Sequence, residues 1–519
     1  MTARVLVIGL DAAEATLVER WAAEGVLPTF ARLTERGVKS RLANPMETLP
    51  GAIWSELVTG ISCGKRPHYY HPHQLVTGEA RARLIAPADI DTEGYYWVQA
   101  SNAGRRVAVI DQVQTVRAPG LNGIQLFEWG LHDRHYVKCS EPPELLSEID
   151  ERYGEHPVKS CDEHGNTEQG YEALRQNLLD AVDLKTKLLL ELLEREHWDL
   201  FTCAFTEFHC VGHQFWHFQD PRHPWYDRHD GERFRDTIRE IYIKIDQAIA
   251  RVIEAAGAEA TVLVFCSHGM GPYIDGPQLL PEVLVRLGMA SASHSKASYL
   301  ARRMQAVLRS APRRWHQSIK RMKDFALVRK AQSAAGNLYY PLESPRTRVA
   351  ILRNNRVGAL RLNLRGREPF GRVEPGAEAA ALTDELRREL MALEDPATGR
   401  PIVKAVVSAE EAFGSDHHPD VPDLMVVFRT DGGPIEACRS PRVGLIKIPI
   451  TDRLVPRTGD HTVESRLWAI GPGIEAGVTL PEANVLDLAP TVLRLLDVPL
   501  SDGIDGRPIL GVTNEAAVV

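Results

Sequence analysis

The stretch 198–217, WDLFTCAFTEFHCVGHQFWH, holds the residue types best placed to do chemistry. Its apolar run from Trp198 to Phe205 gives way to Glu207, His209 and, four positions on, His213. An i, i+4 spacing at the start of a helix sets two imidazoles on one face, where both can reach one metal ion. Alone, such a pair is more often an ordinary surface or core feature. Here it has company. Arg4 to Leu10 is a second apolar run, closed by Asp11, and Thr261 to Cys266 is a third, closed by Ser267 and His268. Gly459-Asp460-His461, just ahead of the run Leu467 to Ile470, adds a fourth candidate.

Continuous apolar runs, as opposed to alternating ones, suit strands buried on both faces of a parallel sheet. In open α/β sheets ligands collect beyond the carboxyl ends of such strands. The expected fold is therefore α/β, a mostly parallel central sheet flanked by helices. Helical patterns cover 15–37, 168–196, 233–256 and 485–496, and further strands are expected at 106–110, 125–127, 361 onward and 423–428. Between Pro45 and Gly60, Thr48 stands just before a Pro-containing helix start, with a helix expected over 52–58. A hydroxyl there is open to two readings: a nucleophile activated by the helix N-terminus and a cation, or a plain cap of that helix.

Residues 64–100, carrying His68, Tyr69, Tyr70, His71 and His73, read as a polar cap within a core of 1–285 and 346–519. Residues 286–345 read as a basic helical insertion, for 296–330 holds eleven Lys or Arg against one Asp. Such a run means a solvated face or a lid over an anionic substrate more often than a membrane or nucleic-acid arm. A chain of 519 residues with formal net charge −8 can bury a large core and argues mildly against a nucleic-acid polymer as partner. No apolar stretch reaches the roughly 20 residues that span a bilayer. The first strand begins by residue 4, which leaves no room for a signal peptide. Seven scattered cysteines without CxxC pairs suggest reduced thiols, and the expected location is cytoplasmic.

With these residues in view, the chain resembles the alkaline phosphatase superfamily, in its type I phosphodiesterase and nucleotide pyrophosphatase branch. The resemblance rests on VIGLDA at 7–12, ETLPG…TG at 47–60, EFHCVGH at 207–213 and SHGMG at 267–271. It continues through LRLNLRGREPFG at 360–371, PDLMVVF at 422–428, TGDH…GPGI at 458–474 and LDLAPTVLRLLDVP at 486–499. It implies a site with two Zn²⁺ ions, one held by His209, His213 and His461, the other by Asp11, Thr48, Ser267 and His268. It also implies that Thr48 is the nucleophile of a metal-dependent phosphoester hydrolase acting through a covalent phospho-enzyme. Two positions depart from the pattern: His209 and Ser267 stand where the family usually has Asp. Asp11 is then the one carboxylate left of the usual set, with Glu14, Glu47 and Glu207 near in sequence to compensate. The family's phosphate-binding Asn is absent after the Thr59-Gly60 turn, and Tyr69 occupies that neighbourhood.

The partner so implied is a small-molecule phosphoester, with Tyr69, Arg313 and Arg314 as candidate substrate-binding residues; a homo-oligomer is compatible with everything above. Two rivals stand beside this reading. The altered ligand set suits a one-metal or altered-chemistry enzyme of the same superfamily, such as a transferase, mutase or specialised-metabolism enzyme. It also suits a binding protein that has kept the fold and lost turnover.

Overall fold

The apolar run Ala3–Leu10 splits its side chains between two layers: Leu6, Ile8 and Leu10 enter one hydrophobic core, Val5 and Val7 the other. That division is the structural meaning of a run without polar alternation, since successive residues of a strand face opposite sides. A computed structural model of the chain describes residues 3–66, 76–78, 85–131, 136–160, 162, 167–226, 231–274, 276–291, 346–352, 354–448 and 457–510. The candidate substrate-binding residues Tyr69, Arg313 and Arg314, and all of the basic stretch from 292 to 345, lie outside the described residues.

The main sheet has ten strands. Across it run Val478–Thr479, Val38–Ala43, Arg466–Ile470, Thr261–Cys266, Ala3–Leu10, Trp198–Phe205, Val107–Ile110, Gly123–Phe127 and Cys139–Glu141, with Ala483–Asn484 pairing Val38–Ala43. The central pairings are parallel; Arg466–Ile470 and Cys139–Glu141 pair their neighbours antiparallel. Register matters most here. Leu10 lies opposite Phe205 on one side and Cys266 on the other, so three strands end level. Asp11, Thr206 and Ser267 therefore leave the sheet along one edge, and Arg466, opposite Cys266, enters the sheet there.

The chain divides into two compact units, one made of 1–70, 86–274 and 453–519, the other of 71–85 and 275–452. The first contains the ten-stranded sheet. The second has its own four-stranded antiparallel sheet, in the order Val403–Ser408, Leu424–Phe428, Gly358–Leu362, Val349–Leu352. Its separate core includes Leu280, Leu360, Leu386 and Val426. Arg361, fully buried there, is held by Glu368 at 2.8 Å and by the Val421 carbonyl at 2.9 Å. Residues 346–452, read from sequence as continuous with the main core, thus lie in this second unit.

Two local expectations change. The pattern over 15–37 forms two helices, Ala15–Ala23 and Pro28–Arg36, because Gly25 adopts φ 76° and Pro28 starts a new helix. Residues 95–100, read as the end of a polar cap, belong to the main core: Trp97 is fully buried, in the helix Tyr96–Asn102, and the Tyr96 hydroxyl lies 2.7 Å from Thr202 Oγ1. Three consecutive aromatics outweigh the polar residues that precede them. Among the described residues, no helix is long and apolar enough to cross a membrane, and six cysteines are free thiols.

Candidate metal centre

The helix Glu207–Gln219 leaves the edge of the sheet directly after Trp198–Phe205 and is buried along all but its last residue. Glycine brings it close to the hairpin formed by Gly269–Pro272 and Gly459–Thr462. A Cβ on Gly459 would lie 2.2 Å from the Gly212 carbonyl oxygen, and one on Gly212 would lie 2.5 Å from Met270 Cγ. With both side chains absent, helix and hairpin meet backbone to backbone. Thr458 N–H donates to the His213 carbonyl at 2.7 Å, and the Gly459 carbonyl lies 2.7 Å from His213 Nδ1.

That contact sets the chemistry. A carbonyl can only accept, so His213 carries its proton on Nδ1 and turns the Nε2 lone pair inward. His213 Nε2 lies 3.1 Å from His209 Nε2 and 3.1 Å from His461 Nε2. Nitrogens bound tetrahedrally to zinc at about 2.0–2.1 Å stand about 3.3 Å apart, so the spacing fits a common cation. The ligand atoms of the three residues all lie within 4.8 Å of one another. Among the described residues this is the one such convergence of three or more His, Cys, Asp or Glu side chains. Arg457 reaches the same place: its Nη1 is 3.4 Å from His213 Nε2.

The other expected ligands are arranged differently. The His268 ring packs edge-on against His461, with centroids 4.4 Å apart, so four imidazoles are contiguous. Ser267 Oγ lies 2.9 Å from His268 Nδ1 and 3.3 Å from the Leu10 carbonyl, and it is fully buried. Asp11 accepts a 3.0 Å hydrogen bond from Trp54 Nε1, which ties it to the segment that carries Thr48. Asp11 and His268 do not join a second group of three among the described residues. Thr48 stands between two 3₁₀ turns, Pro45–Glu47 and Pro50–Ala52, and its hydroxyl donates back to the Pro45 carbonyl at 3.2 Å. The helix that follows, Ile53–Thr59, has Ala52 at its N-cap. Thr48 is therefore not the cap of that helix.

Two of the carboxylates expected to compensate have other work. Glu14 accepts from the Thr16 hydroxyl at 2.6 Å, Met270 N–H at 3.0 Å and the Thr462 hydroxyl at 2.7 Å. It clamps a helix start to both strands of the hairpin, and burial raises its carboxyl above the usual range despite these donors. Glu207 faces the opposite way, toward Lys185 Nζ at 3.5 Å and His156 Nε2 at 3.7 Å, all of them buried. Burial alone would raise the Glu207 carboxyl; the Lys185 ammonium and His156 overcome it and hold it at about 2. This pair anchors the start of the histidine-bearing helix, and removing one partner would strand a buried charge at a cost of about 3–5 kcal/mol. Sequence reading missed Lys185, although a Lys at helical spacing between Val182 and Leu189, on the apolar face of the helix, is a visible signal.

A profile of the type I phosphodiesterase / nucleotide pyrophosphatase family matches residues 5–433. The chain belongs to that family. Its solved structural relatives include murine ectonucleotide pyrophosphatase / phosphodiesterase 5, at 13% identity and a TM-score of 0.48, covering 96% of this chain and 95% of that one. The same murine protein in an inactive form in complex with AMP matches at 12% identity and 0.48, covering 96% of both chains. The human counterpart matches at 11% and 0.46, again over 96% of each. A comparison with curated protein sequences returns no match. The two positions expected from the resemblance to carry Asp, His209 and Ser267, fall one in each half of the candidate site.

Proposed function

We propose that this phosphodiesterase-family protein is a metal-dependent phosphoester hydrolase whose principal cation, Zn²⁺, is held by His209, His213 and His461. The observation that carries the reading is the 3.1 Å approach of the imidazole nitrogens at the end of the parallel strands. A second, weaker ion would use Asp11, Thr48, Ser267 and His268. A bound cation would supply Lewis-acid polarisation of the phosphoryl group and lower the pKa of a nearby hydroxyl. The protein's own residues supply the rest.

Thr48 Oγ1 would turn from the Pro45 carbonyl, lose its proton and attack phosphorus in line with the leaving oxygen. The ester P–O bond breaks as the Thr48–O–P bond forms; the Thr48 proton passes to solvent water, and the leaving alkoxide takes one up from it. Water then cleaves phospho-Thr48, returning the hydroxyl and releasing phosphate or its monoester. Trp54 holds Asp11, and the Gly459 carbonyl holds the His213 tautomer, so neither must reorganise during the step.

The test is turnover of a nitrophenyl phosphodiester together with metal content. Purified protein is expected to carry zinc and to hydrolyse the diester; Thr48→Ala is expected to keep the metal and lose at least about 100-fold in kcat. Full activity in Thr48→Ala removes Thr48 as nucleophile. Zinc-loaded protein without any phosphoester turnover favours the altered-chemistry enzyme, a reading supported by convergence at only one half of the site.

A further inference from the structure

Arg457 and Asp162 were named by no motif, yet they form a two-bond ion pair beside the histidine cluster. Arg457 Nε donates to Asp162 Oδ1 at 3.0 Å and Nη2 donates to Oδ2 at 2.8 Å. This two-bond fork fixes the plane of the guanidinium, which a single contact would leave free to rotate. Asp162 is itself fixed by Gln214 Nε2 at 2.7 Å, from the residue next to His213 on the same helix. The guanidinium is thus registered to the helix that carries two of the imidazoles. Its remaining terminal nitrogen, Nη1, is delivered to within 3.4 Å of His213 Nε2.

One lone pair on Nε2 cannot serve both an N–H donor and a cation. When a cation takes it, the Nη1 hydrogens that face Nε2 must turn to whatever oxygen the cation also holds. Two positive groups side by side repel unless an anion lies between them. The arrangement therefore favours an anion that presents one oxygen to the cation and another to the guanidinium, and a tetrahedral phosphoryl group does this.

Resting on the hydrolase reading above for its substrate, we propose that Arg457 is an anion-binding residue of this site, oriented by Asp162 to grip a non-bridging phosphoryl oxygen. Asp162 acts through Arg457 and is a positioning residue.

The experiment compares wild type with Arg457→Ala, Arg457→Lys and Asp162→Asn, reading zinc content, inorganic phosphate binding by calorimetry, and diester kinetics. Arg457→Ala is expected to keep its zinc while phosphate binding weakens about 10- to 100-fold, the range for a lost hydrogen bond to a charged group. Arg457→Lys, which keeps the charge and loses the fork, should fall between the two. Asp162→Asn should weaken phosphate binding less than Arg457→Ala and leave the zinc in place, an effect that a merely structural contact would not produce. Unchanged phosphate affinity in Arg457→Ala overturns the assignment. So does loss of zinc in both Arg457 variants, which would make the residue a support of His213. If wild type binds zinc and phosphate but turns over no phosphoester, the hydrolase reading fails while the loss of phosphate affinity in Arg457→Ala still supports the anion site.

Discussion

The two halves of the candidate site differ at the position where the family resemblance leads one to expect a carboxylate. Where His209 replaces the usual Asp, the new side chain is aimed at the same point as its neighbours, 3.1 Å from His213 Nε2. Where Ser267 replaces it, the hydroxyl turns to the protein, toward His268 Nδ1 and the Leu10 carbonyl. A neutral imidazole is a strong zinc donor; an un-ionised hydroxyl is a weak one. On the proposed reading, the first substitution would keep a metal site and alter its charge, while the second would remove a donor and leave a hydrogen bond in its place. Ligand count alone would not separate the two cases; the direction of the side chain does.

The sharpest way to break this contrast is to remove one imidazole from each half. His213→Ala takes out the nitrogen shared by both 3.1 Å contacts and is expected to weaken zinc binding by more than about 100-fold. His268→Ala, which loses a ring contact with His461 and the bond to Ser267, is expected to keep the principal zinc. Metal titration of the two variants under a competing chelator decides the matter. Equal losses would mean that the site is one cluster of four imidazoles with no division between halves.

Much of this geometry could be read from the chain, and the limits have physical causes. Strands ending at Leu10, Phe205 and Cys266 were visible because continuous apolar runs have few other uses at that length. The i, i+4 pair His209 and His213 follows from helical period alone. His461 stood out by its place just ahead of the run Leu467 to Ile470, but its sharing one ion with His213 needed the family order, since 248 positions separate the two and no local rule spans that distance. What the sequence hid is contact between backbones. Gly212 and Gly459 look like ordinary glycines until a Cβ is placed on each, and Arg457 looks like any surface Arg until Asp162 is folded beside it. The direction faced by Glu207 was equally hidden, because a helix's first residue can turn to either side of it.

A smaller effect should come from putting the missing carboxylate back. Ser267→Asp is expected to raise zinc stoichiometry from about one to two at equal free metal, because a carboxylate is then added beside His268 and Asp11. The position is fully buried, so an unpaired carboxylate there carries a desolvation cost. Thermal stability should therefore fall in chelator and recover when zinc is added, since a ligand that binds only the folded state stabilises it. A stoichiometry that stays at one would show that the second half has lost more than its Asp.

The smallest effect concerns Glu14, which joins the two halves through Met270 N–H and the Thr462 hydroxyl next to His461. Burial raises its folded-state carboxyl above the ordinary carboxylate range, and the bonds from Thr16, Thr462 and Met270 only partly oppose that. The folded protein then binds the Glu14 proton more tightly than the unfolded chain. This contribution to stability is fully present below the unfolded value and is lost as pH rises through the folded one. Glu14→Gln abolishes the titration while keeping one acceptor oxygen for the hairpin. Relative to wild type, the variant should gain in melting temperature between pH 4 and 8, by a few degrees at most. A difference that stays constant with pH would mean that Glu14 binds its proton equally well in the folded and unfolded states, and that its clamp on the hairpin works through hydrogen-bond geometry alone.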